Sequence, residues 1–510
     1  MEVDDEQLAA HVSEWSTNTN ECLTIELVRG TETTATFNPQ FTYPIFGDEE
    51  VIFGYEALDI TLSFAAHNLT PHLSITHGDT YPEQGDVRPT DIREALADFL
   101  PESAFTKLSR DNALREKGVA SFVPPGERTA KYSRPGGSIE VWCASLADER
   151  ARRLLENMQI LVPMFIEGGT MLSLGQDWST QRWKLFLLYE VDDKPLAGMS
   201  KYSLIGYGTS YRVFALPKLL APSSYDHRAL TGDSLDDLLR PDAKAGSTSP
   251  LDLPSRERLS QFLVLPPFQG SGYGQKLYNA MYNHLSAPAN VREFTVEDPN
   301  EAFDDLRDLC DLLYLRAHVP EFAALRINTD IPVAKMPLNQ HIPTALIVDG
   351  VARRRIQAQT KMVDRQFDRL VEMHTLSFIP PLNRSRSRIT RKGNATNPHD
   401  KAYYFWRLYA KQRLYIHNRD QLIQVEKEER VEKLEAALDG VQEGYAAMLE
   451  KVAAHAGQDG EGSSNGEAVG GAAKPVTRKR KVIEEDEDEE EEDEMDQLAK
   501  TNGRKKVKGT

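Results

Sequence analysis

Apolar residues in the first 150 positions alternate with polar ones over short stretches, which is the pattern of half-buried β-strands. Ile60–Phe64 and His72–Ile75 show this alternation, and helix-like spacing occurs between Asp91 and Phe99. Short strands mixed with helical stretches predict an α+β domain over residues 1–155.

A second domain is predicted at residues 156–320, where the strand signals become stronger. Trp183–Tyr189 and Tyr202–Phe214 are rich in apolar, aromatic and β-branched residues, and each predicts a strand. Residues 215–257 are rich in Pro, Ser, Asp and Ala and have little periodicity, so they predict an inserted loop.

After the insert, the pattern predicts a strand, a helix, a further strand and a further helix. The first strand, Leu259–Leu265, is ended by two prolines. The helix repeats Leu277, Met281 and Leu285 every four residues, which is the spacing of one buried stripe. The next strand is Val291–Val296.

The start of the last of these helices has a capping signal. Asp298 and Glu301 are three residues apart, as in a capping box, and Pro299 lies between them. This spacing predicts that Asp298 is the N-cap and that Pro299 is the first helical residue.

Helical periodicity continues through residues 321–455, which predict a helical C-terminal domain. Met362–Met373 and Asp420–Val452 are its clearest helices. From residues 456 to 510, Gly, Ser and charged residues replace apolar ones, which predicts a disordered charged tail.

The formal net charge of −18 is not located mainly in this tail. Residues 474–510 hold 12 acidic against 10 basic residues, so they contribute only −2. The rest of the chain therefore has the larger excess of acid, which favours a basic partner and disfavours direct nucleic-acid binding. Acidity that serves only solubility is the alternative interpretation.

Several features bear on the compartment. Three cysteines at wide spacing favour neither a disulfide framework nor a structural zinc site. The N-terminus is acidic and no run of eighteen apolar residues occurs, so we expect an intracellular protein without a membrane segment. Basic clusters at Arg478–Lys481 and Arg504–Lys506 favour nuclear import, and we expect both nucleus and cytoplasm.

A glycine-rich turn, Gln269–Gly274, follows a predicted strand and opens a predicted helix, an arrangement that binds phosphate through backbone amides. The next residues, Gln275–Leu277, lack the Gly-Lys-Ser/Thr of a P-loop. They also lack the third glycine of a dinucleotide fingerprint. The turn instead resembles the coenzyme A pyrophosphate loop of the GCN5-related N-acetyltransferase superfamily, matching it at Gln269, Gly272 and Gly274.

Two longer segments, Leu259–Gly274 and Thr295–Arg307, resemble a narrower family, the type B histone acetyltransferase catalytic subunits of fungal type. The resemblance extends over roughly residues 20–375. It implies a GCN5-related N-acetyltransferase core, which is a mixed, mostly antiparallel sheet flanked by helices, between an α+β N-terminal domain and a helical C-terminal domain.

The resemblance also implies ligands and residue roles. Acetyl-CoA is the expected cosubstrate, and no metal is implied. The expected substrate is the N-terminal tail of newly synthesised histone H4, with histone H3 as its dimer partner and a WD40 β-propeller protein as a histone-binding subunit. Glu297 is the expected general base, and Glu167 and Asp298 are auxiliary candidates. The expected acetyl-CoA contacts are Phe262, Leu263, Val264, Gln269, Gly270, Ser271, Gly272, Tyr273, Gly274, Gln275 and Asn300. The expected substrate contacts are Asp48, Glu49, Glu50, Tyr211, Arg212 and Val213.

The chemistry of lysine acetylation requires a base, because a lysine amine has a pKa of about 10.4 and is protonated at neutral pH. Glu297 lies at a predicted strand end, from which a carboxylate can accept that proton directly or through water. Asp298 is interpreted chiefly as a helix cap, and Glu167 as either an auxiliary base or an exposed carboxylate. Two alternatives remain, a histone-chaperone component with an inactive acetyltransferase fold and an acetyltransferase of other basic proteins.

Overall fold

The computed structural model describes residues 15–83, 87–174, 178–214, 250–332, 335, 342–389 and 396–461. Residues 1–456 form one compact unit and residues 457–510 a second. Most of the predicted insert, both basic clusters and nearly all of the predicted tail lie outside the described residues. Of the helices that are described, none is both long enough and apolar enough to cross a membrane.

The described strands form three sheets. The largest has six strands in the order β12-β11-β10-β9-β8-β7, of which only β11 and β12 are parallel. A four-stranded sheet has the order β3-β2-β5-β6, and β1 pairs with β4. The mixed, mostly antiparallel main sheet confirms the predicted fold class. The strands are β1 Ser16–Asn18, β2 Leu23–Arg29, β3 Glu32–Phe37, β4 Val51–Phe53, β5 Asp59–Ala65, β6 Pro71–Thr76, β7 Glu127–Arg134, β8 Gly137–Ser145, β9 Trp183–Asp192, β10 Tyr202–Phe214, β11 Ser255–Val264 and β12 Val291–Val296.

In chain order, α-helices occur before, between and after the strands of this sheet. The longest ones of the first 320 residues are the helix after the glycine-rich turn and the helix after β12. The helices are α1 Thr19–Cys22, α2 Tyr43–Phe46, α3 Ile92–Ala97, α4 Arg110–Ala113, α5 Glu149–Met158, α6 Leu161–Phe165, α7 Tyr273–Ser286, α8 Glu301–His318, α9 Pro320–Ala323, α10 Thr344–Ile347, α11 Gly350–Thr360, α12 Asp364–Leu376, α13 Arg386–Ile389, α14 Pro398–His417, α15 Arg419–Leu422 and α16 Lys427–Glu461.

Both faces of the main sheet are covered, which explains the continuous apolar run in β9. Phe186 and Leu188 belong to the core that contains α7, whereas Leu185 and Leu187 belong to the core formed with the N-terminal strands. Strands β7 and β8 precede residue 155, so the sheet includes residues on both sides of the predicted domain boundary. The boundary itself stays a prediction.

The predicted stripe on α7 is confirmed, since Leu277, Met281 and Leu285 are all buried. The helix lies close to the sheet at Gly208 of β10, where a Cβ atom would stand 2.7 Å from the Met281 sulfur. Side chains larger than hydrogen are therefore excluded at Gly208 unless Met281 moves.

The region after α8 is helical, as predicted, but two helix boundaries differ. Helix α12 begins at Asp364 and not at Met362, and the long predicted helix is divided into α15 and α16. A buried carboxylate, Glu372, joins three of these helices. It accepts hydrogen bonds from Arg413 Nε at 2.8 Å on α14 and from the Tyr445 hydroxyl at 2.9 Å on α16.

Candidate active site

The candidate site lies where β11 and β12 stop pairing. The last register pair is Leu259 with Val296, and the Glu297 amide donates to the Leu259 carbonyl at 2.9 Å. Strand β12 ends there, whereas β11 continues to Val264. The end of β11 is therefore not covered by its parallel neighbour, and we call this side of β11 the open edge.

A bulge in β11 orients its last residues. Gly208 pairs with Phe262 and Ser210 with Leu259, so β11 contains one residue more than β10 between these pairs. The Leu265 amide donates to the Ile205 carbonyl of β10 at 2.9 Å. Because the bonding direction alternates along a strand, the amides of Phe262 and Val264 point toward the open edge.

Leu263 differs from its two neighbours. Its backbone groups bond toward Tyr207 of β10, and its side chain is only 5% exposed in the core. Of the three residues predicted on this strand, Phe262 and Val264 are therefore the ones with backbone groups at the open edge.

The glycine-rich turn connects the open edge to α7. Gly270 and Gly272 have φ angles of +75° and +72°, a region that glycine enters without strain. Gly272 is the N-cap of α7, so the amides of the first helical turn have no acceptor within the helix. Free amides at the positive end of a helix are suited to bind an anion. That this turn binds phosphate stays a prediction.

The remaining predicted loop residues have different surroundings. Gln269, Gly270 and Ser271 are exposed, and the Gln269 amide group donates to the Val264 carbonyl at 2.8 Å. Tyr273 donates its hydroxyl proton to Glu190 at 3.0 Å, and partial burial, with the Glu190 charge, raises the pKa of this phenol. Gln275 is half-buried in the first turn of α7.

Gly274 has a packing role. A Cβ atom at this position would stand 3.3 Å from Leu306 Cδ2 on α8 and 3.9 Å from Phe262 Cε1 on β11. Glycine thus lets the start of α7 approach α8 and the end of β11. Phe262 also packs edge-on against Phe303 of α8, with 5.1 Å between ring centroids.

Lys276 is a residue of this loop region that the sequence analysis does not single out. Its Nζ lies 3.6 Å from the point where a Cβ of Gly272 would stand, beside the turn. In the part of the chain that the structure describes, this ammonium forms no ion pair. A cation beside this turn is suited to neutralise a bound phosphate. The sequence indicates it only by the position of Lys276 directly after Gln275.

Glu297 lies at the end of β12, beside the open edge, as predicted. Its side chain is 41% exposed. Ser260 Oγ donates to Glu297 Oε2 at 2.6 Å, and Arg258 Nη1 lies 3.5 Å from Oε1. The carboxylate is therefore held from β11 and also open to solvent.

The predicted capping role of Asp298 is wrong. The N-cap of α8 is Asn300, whose Oδ1 accepts from the Phe303 amide at 2.9 Å. The helix begins at Glu301, so Pro299 precedes the cap and is not the first helical residue. An N-cap residue normally has an extended backbone, as Asn300 has with φ −72° and ψ 167°. Asp298 has a φ of +33°, a rare conformation for a residue with a side chain. Asn300, a predicted acetyl-CoA contact, is exposed. The helix cap uses its Oδ1, so its side-chain NH2 group can donate to a ligand.

Glu167 is exposed in the segment after α6. The Gly168 amide donates to the Tyr43 hydroxyl at 3.1 Å, and the Gln261 side chain of β11 donates to the Thr170 carbonyl at 2.9 Å. Hydrogen bonds therefore connect the segment that contains Glu167 to Tyr43 of the N-terminal region and to β11, the strand that forms the open edge.

The acidic N-terminal residues have unequal surroundings. Asp48 and Glu49 are exposed, whereas the Glu50 carboxylate accepts from the amides of Thr42 at 2.6 Å and Tyr43 at 3.1 Å. The Thr42 amide is the largest cause that holds the pKa of Glu50 below its ordinary value. We therefore assign Glu50 to the fold of this segment and keep Asp48 and Glu49 as substrate candidates.

The predicted substrate strand is also divided. Arg212 is 9% exposed, and its Nε lies 2.6 Å from Oε1 of the fully buried Glu257, so its side chain is committed to an internal ion pair. Tyr211 and Val213 are half-buried. Tyr211 packs on Trp183, with 4.7 Å between ring centroids, and pairs in register with Arg258.

Within the described ranges, no group of three or more His, Cys, Asp or Glu side chains is placed to hold a metal ion.

Comparison with known proteins identifies relatives over most of the chain. Residues 15–167 match the family model described as histone acetyl transferase HAT1 N-terminus. The chain is 39% identical over 458 residues to the histone acetyltransferase type B catalytic subunit of Aspergillus oryzae, covering 86% of each chain. It is 37% identical over 444 residues to that of Pyricularia oryzae, covering 85% of this chain and 91% of the relative.

A third relative extends the match further. The protein of the same description from Neurospora crassa is 35% identical over 504 residues, which is 92% of this chain and 95% of the relative. Because each match covers at least 85% of this chain, it includes the region of the open edge and the glycine-rich turn. The chain is an acetyltransferase and belongs to the family of histone acetyltransferase type B catalytic subunits.

Proposed function

We propose that this protein transfers the acetyl group of acetyl-CoA to lysine side chains in the N-terminal tail of newly synthesised histone H4, before chromatin assembly. One observation carries the proposal. A phosphate-binding turn at the start of α7 and an exposed carboxylate, Glu297, both adjoin the open edge of β11. This arrangement supports cosubstrate binding and proton acceptance at adjacent positions.

The turn and the open edge fit acetyl-CoA. The pyrophosphate is assigned to the amides of Tyr273, Gly274 and Gln275, with Lys276 as a neighbouring cation. Apart from Gly270 itself and its two chain neighbours, no heavy atom of the described structure lies within 4 Å of the point where a Gly270 Cβ would stand, which leaves space for a ligand at the turn. The amide donors of Asn300 are a further candidate contact.

Acetyl transfer needs a neutral amine and a stabilised oxyanion. The neutral lysine nitrogen attacks the thioester carbonyl and the carbon–nitrogen bond forms. The carbon–sulfur bond then breaks and coenzyme A leaves as a thiolate, which becomes a thiol by taking up one proton, equal to the second proton that the nitrogen loses. Removing the first ammonium proton at neutral pH costs about 4–5 kcal/mol, and we assign its acceptance to Glu297. The amides of Phe262 and Val264, which point to the open edge, are the proposed donors to the developing oxyanion.

The acidic surface supports a cationic substrate. Asp48 and Glu49 are exposed, and Tyr211 and Val213 lie on the strand next to Arg258. We propose that these residues contact the histone tail. Histone H3 as the dimer partner of H4, a WD40 β-propeller subunit and residence in both nucleus and cytoplasm are parts of the same proposal.

The direct test is transfer of radiolabelled acetyl from acetyl-CoA to purified histones. We expect label on H4 in free H3–H4 and little label on H4 in nucleosomes made from the same histones. Equal labelling of unrelated basic proteins would favour a broader substrate range. An absence of label on every histone, with acetyl-CoA still bound, would favour a chaperone with an inactive fold.

Neutralising the acidic pair should weaken substrate binding. For Asp48→Asn with Glu49→Gln, we expect the KM for an H4 tail peptide to rise roughly two- to tenfold, because two exposed charge contacts are lost. The KM for acetyl-CoA should stay near wild type, and the salt dependence of the peptide KM should flatten. Steady-state kinetics at several salt concentrations measure all three.

The matched control removes the same two charges elsewhere, by Asp98→Asn with Glu102→Gln, since both residues are exposed. An equal rise in peptide KM in the control would indicate a general charge effect. An unchanged peptide KM in the Asp48 and Glu49 variant would remove both residues from the substrate site.

A further inference from the structure

We propose that Ser260 is a positioning residue that fixes the Glu297 carboxylate and leaves Oε1 as the oxygen that accepts the amine proton. The inference rests on the proposed role of Glu297 as general base. Its direct support is the hydrogen bond from Ser260 Oγ to Glu297 Oε2, at 2.6 Å.

Glu297 needs such a partner because little else restrains it. Its backbone is fixed by the bond from its amide to the Leu259 carbonyl, but the next residue, Asp298, has already left regular structure with φ +33°. The side chain has three rotatable bonds and is 41% exposed. In water, such a carboxylate occupies several rotamers, of which only some face a bound amine.

The described contacts of the carboxylate are unequal. Oε2 accepts the short bond from Ser260, whereas Oε1 has only Arg258 Nη1, at 3.5 Å. Arg258 is itself 43% exposed, so its guanidinium can be displaced by an incoming cation at small cost. Oε1 is therefore the oxygen open to a substrate ammonium, and Ser260 holds the other oxygen in place.

The bulge of β11 accounts for the position of Ser260. The Leu259 carbonyl binds the backbone of Glu297, and the next residue binds its side chain. The Gln261 amide then donates to Thr209 Oγ1 at 3.0 Å, and the strand continues toward the open edge at Phe262. A bulge changes the direction of side chains locally, so one strand both fixes the base and supplies the amides proposed for the oxyanion.

The test is Ser260→Ala compared with Ser260→Thr, which keeps a hydroxyl on a β-strand. We expect Ser260→Ala to lower kcat roughly tenfold, the effect of losing one charge-assisted bond at a partly exposed site. The KM for acetyl-CoA should be unchanged, and Ser260→Thr should recover most of kcat. Thermal unfolding of both variants checks that each is folded.

A double-mutant cycle with Glu297→Gln separates this inference from the proposed function. If Ser260 acts through the base, Ser260→Ala should cause little further loss once Glu297 is glutamine. A normal kcat in Ser260→Ala, or the same tenfold loss in both backgrounds, would overturn the inference. Near-normal activity of Glu297→Gln alone would instead overturn the assignment of the base.

Discussion

Glu297→Gln is expected to lower kcat on the order of 10²–10⁴-fold and to leave acetyl-CoA affinity near wild type. The amide keeps the shape of the side chain but cannot accept a proton, so the amine must enter the reaction already neutral. The residual rate should therefore rise as the pH approaches the lysine pKa of about 10.4. Steady-state kinetics over a pH series, with calorimetric titration of acetyl-CoA, measure both effects.

The neighbouring Asp298→Asn provides the comparison. Asparagine tolerates the positive φ of this position, so this variant removes a charge beside the site with little change in backbone conformation. A larger loss of kcat in Asp298→Asn than in Glu297→Gln would move the base to Asp298. Near-normal kcat in both variants would indicate that Glu167 or a chain of water molecules accepts the amine proton.

The second large effect is expected from Gly272→Asp, which should weaken acetyl-CoA binding by about two to three orders of magnitude. A carboxylate roughly 4 Å from a phosphate charge costs about 4 kcal/mol at an effective dielectric constant of 20. Partial screening reduces this value, and each tenfold change in affinity corresponds to about 1.4 kcal/mol. Isothermal titration of acetyl-CoA gives the dissociation constant directly.

The matched variant is Gly272→Asn, which has the same size without the charge. Asparagine is among the residues that tolerate a φ of +72°, so backbone strain is similar in the two variants. A much smaller loss in Gly272→Asn would assign the effect to repulsion of the phosphates. Equal losses would assign it to the shape of the turn, and unchanged affinity in Gly272→Asp would remove the turn from the cosubstrate site.

The central part of the site could be predicted because its signals are local. Two prolines end β11, glycines provide positive φ, and the four-residue repeat of Leu277, Met281 and Leu285 identifies α7. Each signal depends on residues near in sequence, and each is stated by a simple steric or periodic rule. The strand, turn and helix therefore follow from the chain without knowledge of distant contacts.

Other assignments depended on contacts that sequence spacing does not contain. Glu50 resembles Asp48 and Glu49 in the sequence, but only Glu50 reaches the amides of Thr42 and Tyr43. Arg212 is an ordinary strand cation until pairing places Glu257 opposite it. Both residues were predicted to contact substrate because of the family resemblance, and the long-range partners that hold their side chains cannot be read from local patterns.

The capping error has a different origin. Both Asp298 and Asn300 are good capping residues, and the spacing rule alone favours the first. The backbone distinguishes them, because Asn300 has the extended conformation of an N-cap and its side chain accepts from the Phe303 amide, whereas Asp298 has a φ of +33°. The spacing of the residues does not contain this backbone conformation, so it could not show where α8 begins.

The exposure of Glu297 also bears on how the enzyme is reset between turnovers. Converting an ammonium and a thioester into an amide and a thiol liberates one net proton, which in the proposed mechanism Glu297 must release before the next cycle. A side chain that is 41% exposed can pass this proton straight to water or buffer. Regeneration of the proposed base then requires no internal relay of proton carriers.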